Sequence, residues 1–148
     1  MEIIQCDETY LCEVASIFDE YRVFCGQSSD IAGTEIFLRD LLCTQASTLL
    51  IAVEPKERQV MGFVNLYPCF SSLTLKRLWI LNDLGVSSRF RGAGVSKALL
   101  RAALDFAKET KAIRVEFKTE KNNRRARQLY QSLGFEIDQG NIYYRVPC

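Results

Sequence analysis

Leu73 to Val86 is a β-prone run that ends in a short basic turn, and an amphipathic helix pattern opens directly after that turn at about Gly94. No other stretch limits the fold as much. A strand that feeds a helix through so short a turn commits the chain to a layered arrangement of sheet and helix. It also prepares a place for an anion, because the first N–H groups of a helix lack intrahelical partners and sit at the positive end of its dipole. Gly92 and Gly94 allow a ligand close to the backbone, and Arg91 adds a fixed positive charge. Asn82 and Asp83 interrupt the apolar run, which predicts a bend or bulge in the strand.

The remaining patterns supply the other layers. Glu2 to Cys6 reads as a first strand, and Asp7 as the cap of a helix with Leu11, Val14, Phe18 and Tyr21 on its inner side. CGQSSD, from Cys25 to Asp30, breaks that helix, and Asp30 caps a second whose inner face is Ile31, Ile36, Phe37, Leu41 and Leu42. Thr48 to Val53 and Val60 to Leu66 form a hairpin across the charged turn Glu54 to Gln59, and a break follows at Pro68 to Ser72. After the glycine turn, Val95, Ala98, Leu99, Ala102 and Phe106 face inward on a helix running to about Thr110, and Ile113 to Phe117 is a strand. Asn123 caps a further helix that exits at Gly134, and Phe135 to Ile137 with Ile142 to Val146 make a closing strand pair. The expected fold is α/β, one curved mixed sheet flanked by helices, in a single domain over residues 1–148.

Composition narrows the chemistry. The net charge of +1, from 19 basic and 18 acidic residues, gives no bulk attraction to nucleic acid or to an anionic membrane. The start, MEIIQCDE, has no basic segment before a long apolar run, and no window has the length of a membrane span, so the cytoplasm is the expected location. Six cysteines at irregular spacing contain no C-x-x-C, which argues against a metal site and for mostly buried, reduced thiols. Histidine is absent, and with it the commonest general base and any Ser-His or Cys-His pair.

Two familiar phosphate loops do not fit the glycine turn. Ser96, not glycine, precedes Lys97, and a dinucleotide fingerprint would need a small residue where Lys97 stands. The pattern that does fit is R-x-x-G-x-small, from Arg91 through Gly92, Ala93, Gly94 and Val95 to Ser96. A second pattern lies downstream, N-x-x-A-x-x-L-Y-x-x-x-G-F, carried by Asn123, Ala126, Leu129, Tyr130, Gly134 and Phe135. Together they resemble the GNAT superfamily of acetyl-coenzyme A dependent N-acetyltransferases, and the order of strands and helices is similar along nearly the whole chain. The strand LNDLGV entering the loop is similar to members that include the polyamine-acetylating branch. Ser96 stands where the family usually has glycine or alanine, and Gly85 where members of this type often have an aromatic residue.

The resemblance implies a set of roles. Backbone N–H groups from Arg91 to Ser96 would surround the coenzyme's pyrophosphate, and the strand backbone at Leu84, Gly85 and Val86 would pair with its pantetheine amides. Asn123 would contact the coenzyme arm, and Tyr130 would protonate the departing thiolate. An attacking amine must first lose a proton, and with no histidine the best-placed acid is Asp83, with Glu116 second. Glu20, Tyr21, Gln27 and Tyr67 are candidates for the acceptor pocket, since acidic and aromatic groups suit a cationic amine. The expected activity is acetyl transfer to a primary amine of a polyamine- or amino-acid-like small molecule by direct attack in a ternary complex. Acetyl-coenzyme A is the cosubstrate, no metal takes part, and a homodimer is the assembly allowed. The competing readings are a non-catalytic acyl-coenzyme A sensing module and a protein or peptide N-acetyltransferase.

Overall fold

The computed structural model describes residues 1–148 and divides into two compact units, Met1–Lys118 and Thr119–Cys148. In the first, the order is β1 (Glu2–Gln5), α1 (Glu8–Phe24), α2 (Ile31–Cys43), β2 (Thr48–Val53), β3 (Val60–Ser71), β4 (Lys76–Val86), α3 (Val95–Glu109) and β5 (Val115–Glu116). These five strands form one mixed sheet in sequence order. β1 to β4 pair antiparallel, and β5 lies parallel to β4, as its arrival through the α3 crossover requires. The sequence-based α/β expectation is met, with helices flanking a mixed sheet.

Local chemistry explains most boundaries. Asp7 and Asp30 cap α1 and α2 by accepting the N–H groups of Thr9 and Gly33 at 2.9 Å. α1 ends in a Schellman turn, with Gly26 at φ +94 and the Gln27 N–H on the Arg22 carbonyl. Leu11, Val14, Ile17 and Phe18 of α1 and Leu38 of α2 pack on Leu49, Ile51, Val53 and Phe63, making the core on one face of the sheet. On α3, Val95, Leu99, Leu100, Ala103 and Ala107 are buried, and Trp79 of β4 meets Phe106 at 4.9 Å between ring centroids.

Several expectations need correction. The inner face of α2 is Thr34 and Leu38, with Leu41 and Leu42 partly buried, whereas Ile31, Ile36 and Phe37 are exposed. Thr34 can lie inward because its hydroxyl bonds the Asp30 carbonyl at 2.8 Å. β3 does not break at Pro68 but runs to Ser71, with Pro68 opposite Trp79. β2 pairs with β3 only as far as Leu66, so beyond it β3 has an edge on that side and tolerates a missing donor. The thiols are not mostly buried: Cys6 is, Cys69 is half-buried, and Cys12, Cys25, Cys43 and Cys148 are exposed.

β4 carries the expected bulge. Asn65 faces Asp83 but Leu66 faces Leu81, so Asn82 is an extra residue in the strand. Side chains alternate along a strand, so without the insertion Leu81 and Asp83 would share one face. With it, Leu81 stays on the face of Leu66, while Asp83 joins Asn65 on the side of α1, where Tyr21 reaches it.

In the second unit, α4 (Arg124–Ser132) begins at Asn123, whose side chain accepts the Ala126 N–H at 3.2 Å, and ends with Gly134 at φ +92. The closing strand pair is not formed. Phe135–Ile137 and Ile142–Val146 run as irregular chain, with Ile142, Tyr144 and Val146 exposed and Asp138 holding the Gly140 N–H at 2.8 Å. An alternating apolar pattern makes a strand only where an edge accepts its hydrogen bonds.

Candidate functional site

Asp83 is held by three side-chain donors from α1, β3 and β4. Its Oδ1 accepts from the Tyr21 hydroxyl at 3.1 Å, and its Oδ2 accepts from the Asn65 amide at 2.9 Å and the Asn82 amide at 3.1 Å. All three donors are neutral, and no lysine or arginine forms an ion pair with this carboxylate. Tyr21 is held in place by edge-on contacts to Phe18 and Phe63, each 5.7 Å between ring centroids. Burial first, and then the Asp83 charge and the Cys25 thiol, push its phenol well above the usual range, so it stays a donor. Tyr67, half-buried on β3, is raised by burial as well, opposed by a hydrogen bond with the Asn65 side chain and supported by the Asp83 charge.

Asn65 is the residue that sequence reasoning missed. It is fully buried, and while its amide nitrogen bonds Asp83, its Oδ1 has no hydrogen-bond partner. Leaving such a carbonyl unpaired costs about 1–3 kcal/mol. The signal in the sequence was a lone polar residue inside the apolar run VMGFVNLY.

Gly85 has a concrete reason to be glycine. A Cβ there would approach Phe63 Cε1 to 2.6 Å and the Tyr21 Cβ to 3.2 Å. Phe63 and Tyr21 fill the space that a side chain here would need. From Leu81 to Val86, β4 has no sheet neighbour on its second side, because β5 pairs only with Trp79 and Ile80. That edge carries Leu84, Gly85 and Val86 into a turn of 3₁₀ helix at Ser88–Phe90.

The turn that follows fits an anion. Gly92 and Gly94 have φ of +79 and +76, which L side chains rarely adopt, and Gly94 caps α3 without any side-chain hydrogen bond. The first intrahelical bond is Ala98 N–H to the Gly94 carbonyl, so the helix ladder makes no use of the N–H groups of Val95, Ser96 and Lys97. Arg91, Gly92, Ala93 and Gly94 are exposed, and Ser96 is half-buried. The Arg91 guanidinium lies 3.9 Å from Glu20, whose carboxylate also accepts the Ser88 N–H at 3.2 Å. Glu20 therefore faces this turn while Tyr21 faces Asp83. Gln27 is exposed and takes part through its backbone in the end of α1, and Glu116 is engaged by Arg114.

Asn123 and Tyr130 belong to the second unit. Asn123 is exposed and serves as the α4 cap. Tyr130 is half-buried, with its ring edge-on to Phe135 at 5.9 Å, and burial raises its phenol above the usual range. A phenol so raised is protonated at neutral pH and can give up a proton only to a strong base.

The chain resembles known proteins along its length. It is 42% identical to the uncharacterized N-acetyltransferase YhfO of Bacillus subtilis over 97% of this chain and 95% of that one. A crystal structure of a probable acetyltransferase superposes with a TM-score of 0.95 at 38% identity, covering 100% of this chain and 98% of the other. The fold is also that of AAC(6')-Iy, solved in complex with the bisubstrate analog CoA-S-monomethyl-acetylneamine, with a TM-score of 0.78 at 22% identity over 99% and 98% of the two chains. The model of the acetyltransferase (GNAT) family matches residues 14–135, and the chain belongs to that family of N-acetyltransferases.

Proposed function

We propose that this acetyltransferase transfers the acetyl group of acetyl-coenzyme A to a primary amine of a small molecule, polyamine- or amino-acid-like, by direct attack in a ternary complex in the cytoplasm. The observation that carries the reading is Asp83, a carboxylate with three neutral donors and no cationic partner, beside an open strand edge that leads into an anion-binding turn. A neighbour in fold has been solved with a coenzyme A-derived bisubstrate analog, which supports the same cosubstrate here.

When bound, the coenzyme supplies an activated acyl thioester. The N–H groups from Arg91 through Gly92, Ala93, Gly94 and Val95 to Ser96 hold its pyrophosphate, with the Arg91 charge adding attraction. The edge at Leu84 to Val86 offers main-chain groups to the pantetheine amides, as an added strand would use them, and Asn123 contacts the coenzyme arm. Asp83 takes the proton from the substrate ammonium, leaving a neutral nitrogen lone pair to attack the thioester carbon. The N–H at Val86 stabilises the negative charge that develops on the carbonyl oxygen. As the carbon–sulfur bond breaks, Tyr130 gives its proton to the thiolate, and the second proton shed by the acetylated nitrogen returns through solvent to the Tyr130 phenolate, so the products are an acetamide and the free thiol.

Release of free thiol from acetyl-coenzyme A, measured across polyamines, amino acids, aminoglycosides and peptides, tests the reading. Turnover is expected with a small cationic amine, and Tyr130→Phe should lower it by roughly 10²-fold or more with coenzyme binding retained. Equal turnover in that variant removes Tyr130 as the acid. Coenzyme binding with no thiol release for any amine turns the reading to a sensing module.

A further inference from the structure

We propose that Asn65 is a positioning residue for Asp83, retained at a cost in stability so that the carboxylate is fixed in orientation while its charge stays available to a cationic amine. This rests on the reading of Asp83 as the group that meets the acceptor.

The two residues are direct cross-strand partners, and the Asn82 bulge is what brings Asp83 onto the face of Asn65. A charged carboxylate offers only acceptors, so it selects the Asn65 rotamer in which the amide nitrogen points toward it at 2.9 Å. The carbonyl oxygen is then turned into the interior, where it has no partner. Val64 and Leu66, on either side of Asn65, are buried and apolar, and a leucine at position 65 would bury as well without stranding a polar atom. Packing therefore does not account for asparagine here; its amide nitrogen does, bonding Asp83 at 2.9 Å and acting on the Tyr67 phenol beside it. Tyr21 does the same for the other carboxylate oxygen, while its ring is fixed by Phe18 and Phe63. Both oxygens are thus tethered by neutral donors from β3 and α1. Replacing either donor by arginine or lysine would orient Asp83 equally well but cancel its charge.

The test uses the full chain and methylammonium chloride as a minimal primary ammonium probe, followed through the Asn82 side-chain amide signals in nitrogen-labelled protein, with sodium chloride as the ionic-strength control. Wild type is expected to shift saturably with methylammonium and not with sodium, and Asp83→Asn to lose the saturable response. Asn65→Leu should weaken binding at least 5-fold and yet melt no lower than wild type, a combination that a merely structural asparagine would not give. Tyr21→Phe keeps the ring packing and should weaken binding in the same direction. Unchanged binding in Asn65→Leu and Tyr21→Phe, with Asp83→Asn inactive, overturns the positioning role and leaves Asp83 as the amine's partner. A wild-type protein that does not distinguish methylammonium from sodium overturns the reading of Asp83 itself. A lowered melting temperature in Asn65→Leu with unchanged binding assigns Asn65 to the fold alone.

Discussion

Asp19 organises the connection between α1 and α2 in much the way that Asp83 is itself organised. Buried on α1, it accepts the Asp30 N–H at 2.7 Å, the Ser29 hydroxyl at 2.7 Å and the Arg22 guanidinium at 3.0 Å. The backbone hydrogen bond from Asp30, then Ser29, hold its carboxyl below the usual carboxylate range against the opposing effect of burial. The stabilisation from a lowered carboxyl is fully present above its unfolded value of about 3.9 and is lost as pH falls through the folded value. Asp19→Asn should therefore melt below wild type at neutral pH, and the gap should narrow below about pH 4. A gap that stays constant between pH 7 and pH 3 in thermal melts would show that the charge is not what holds the segment. Asp19 was invisible to a reading by pattern, because two of its three partners, Ser29 and Asp30, come from beyond the helix end. Asp83 was legible because the sequence turns polar there at the end of an apolar run, whereas the Asn65 that holds it was read simply as part of a strand.

The helices were the most legible parts of the chain, since caps and exits are local chemistry. All four close with the same hydrogen-bond pair across a left-handed residue, and in two of them that residue is not glycine: Gln45 after α2 at φ 54 and Lys111 after α3 at φ 59. The left-handed conformation costs a side-chain-bearing residue about 1–2 kcal/mol, partly offset by the greater unfolded-state freedom of glycine. Lys111→Gly is accordingly expected to stabilise the fold by about 0.5–1 kcal/mol, read as a higher urea midpoint at unchanged slope. A lower midpoint would mean that the Lys111 side chain contributes more than its backbone costs. The strands were less legible where pairing depends on a distant edge. Pro68 looked like a break because the end of the β2–β3 pairing at Leu66 cannot be read locally, and the segment from Phe135 to Val146 looked like a hairpin because alternation alone does not supply a partner. The exposed Ile36 and Phe37 misled for a related reason, since several apolar stripes could be drawn on α2 and only the packing on α1 selects one.

For the molecule as a unit, we propose that residues 1–148 are one N-acetyltransferase domain. The family match over 14–135 runs through Lys118, where the two compact units divide. Calorimetry is expected to give one transition whose calorimetric and van't Hoff enthalpies agree, and two resolved transitions would divide the chain instead. The single residue inserted at Asn82 has a consequence beyond aiming Asp83. It changes the phase of β4, so that before it the odd-numbered Trp79 and Leu81 lie on the α3 face, and after it the odd-numbered Asp83 and Gly85 lie on the α1 face. One strand therefore carries two independent alphabets. An odd-numbered substitution before Asn82 is felt by the packing against α3, and one after it by the packing against α1 around Tyr21 and Phe63.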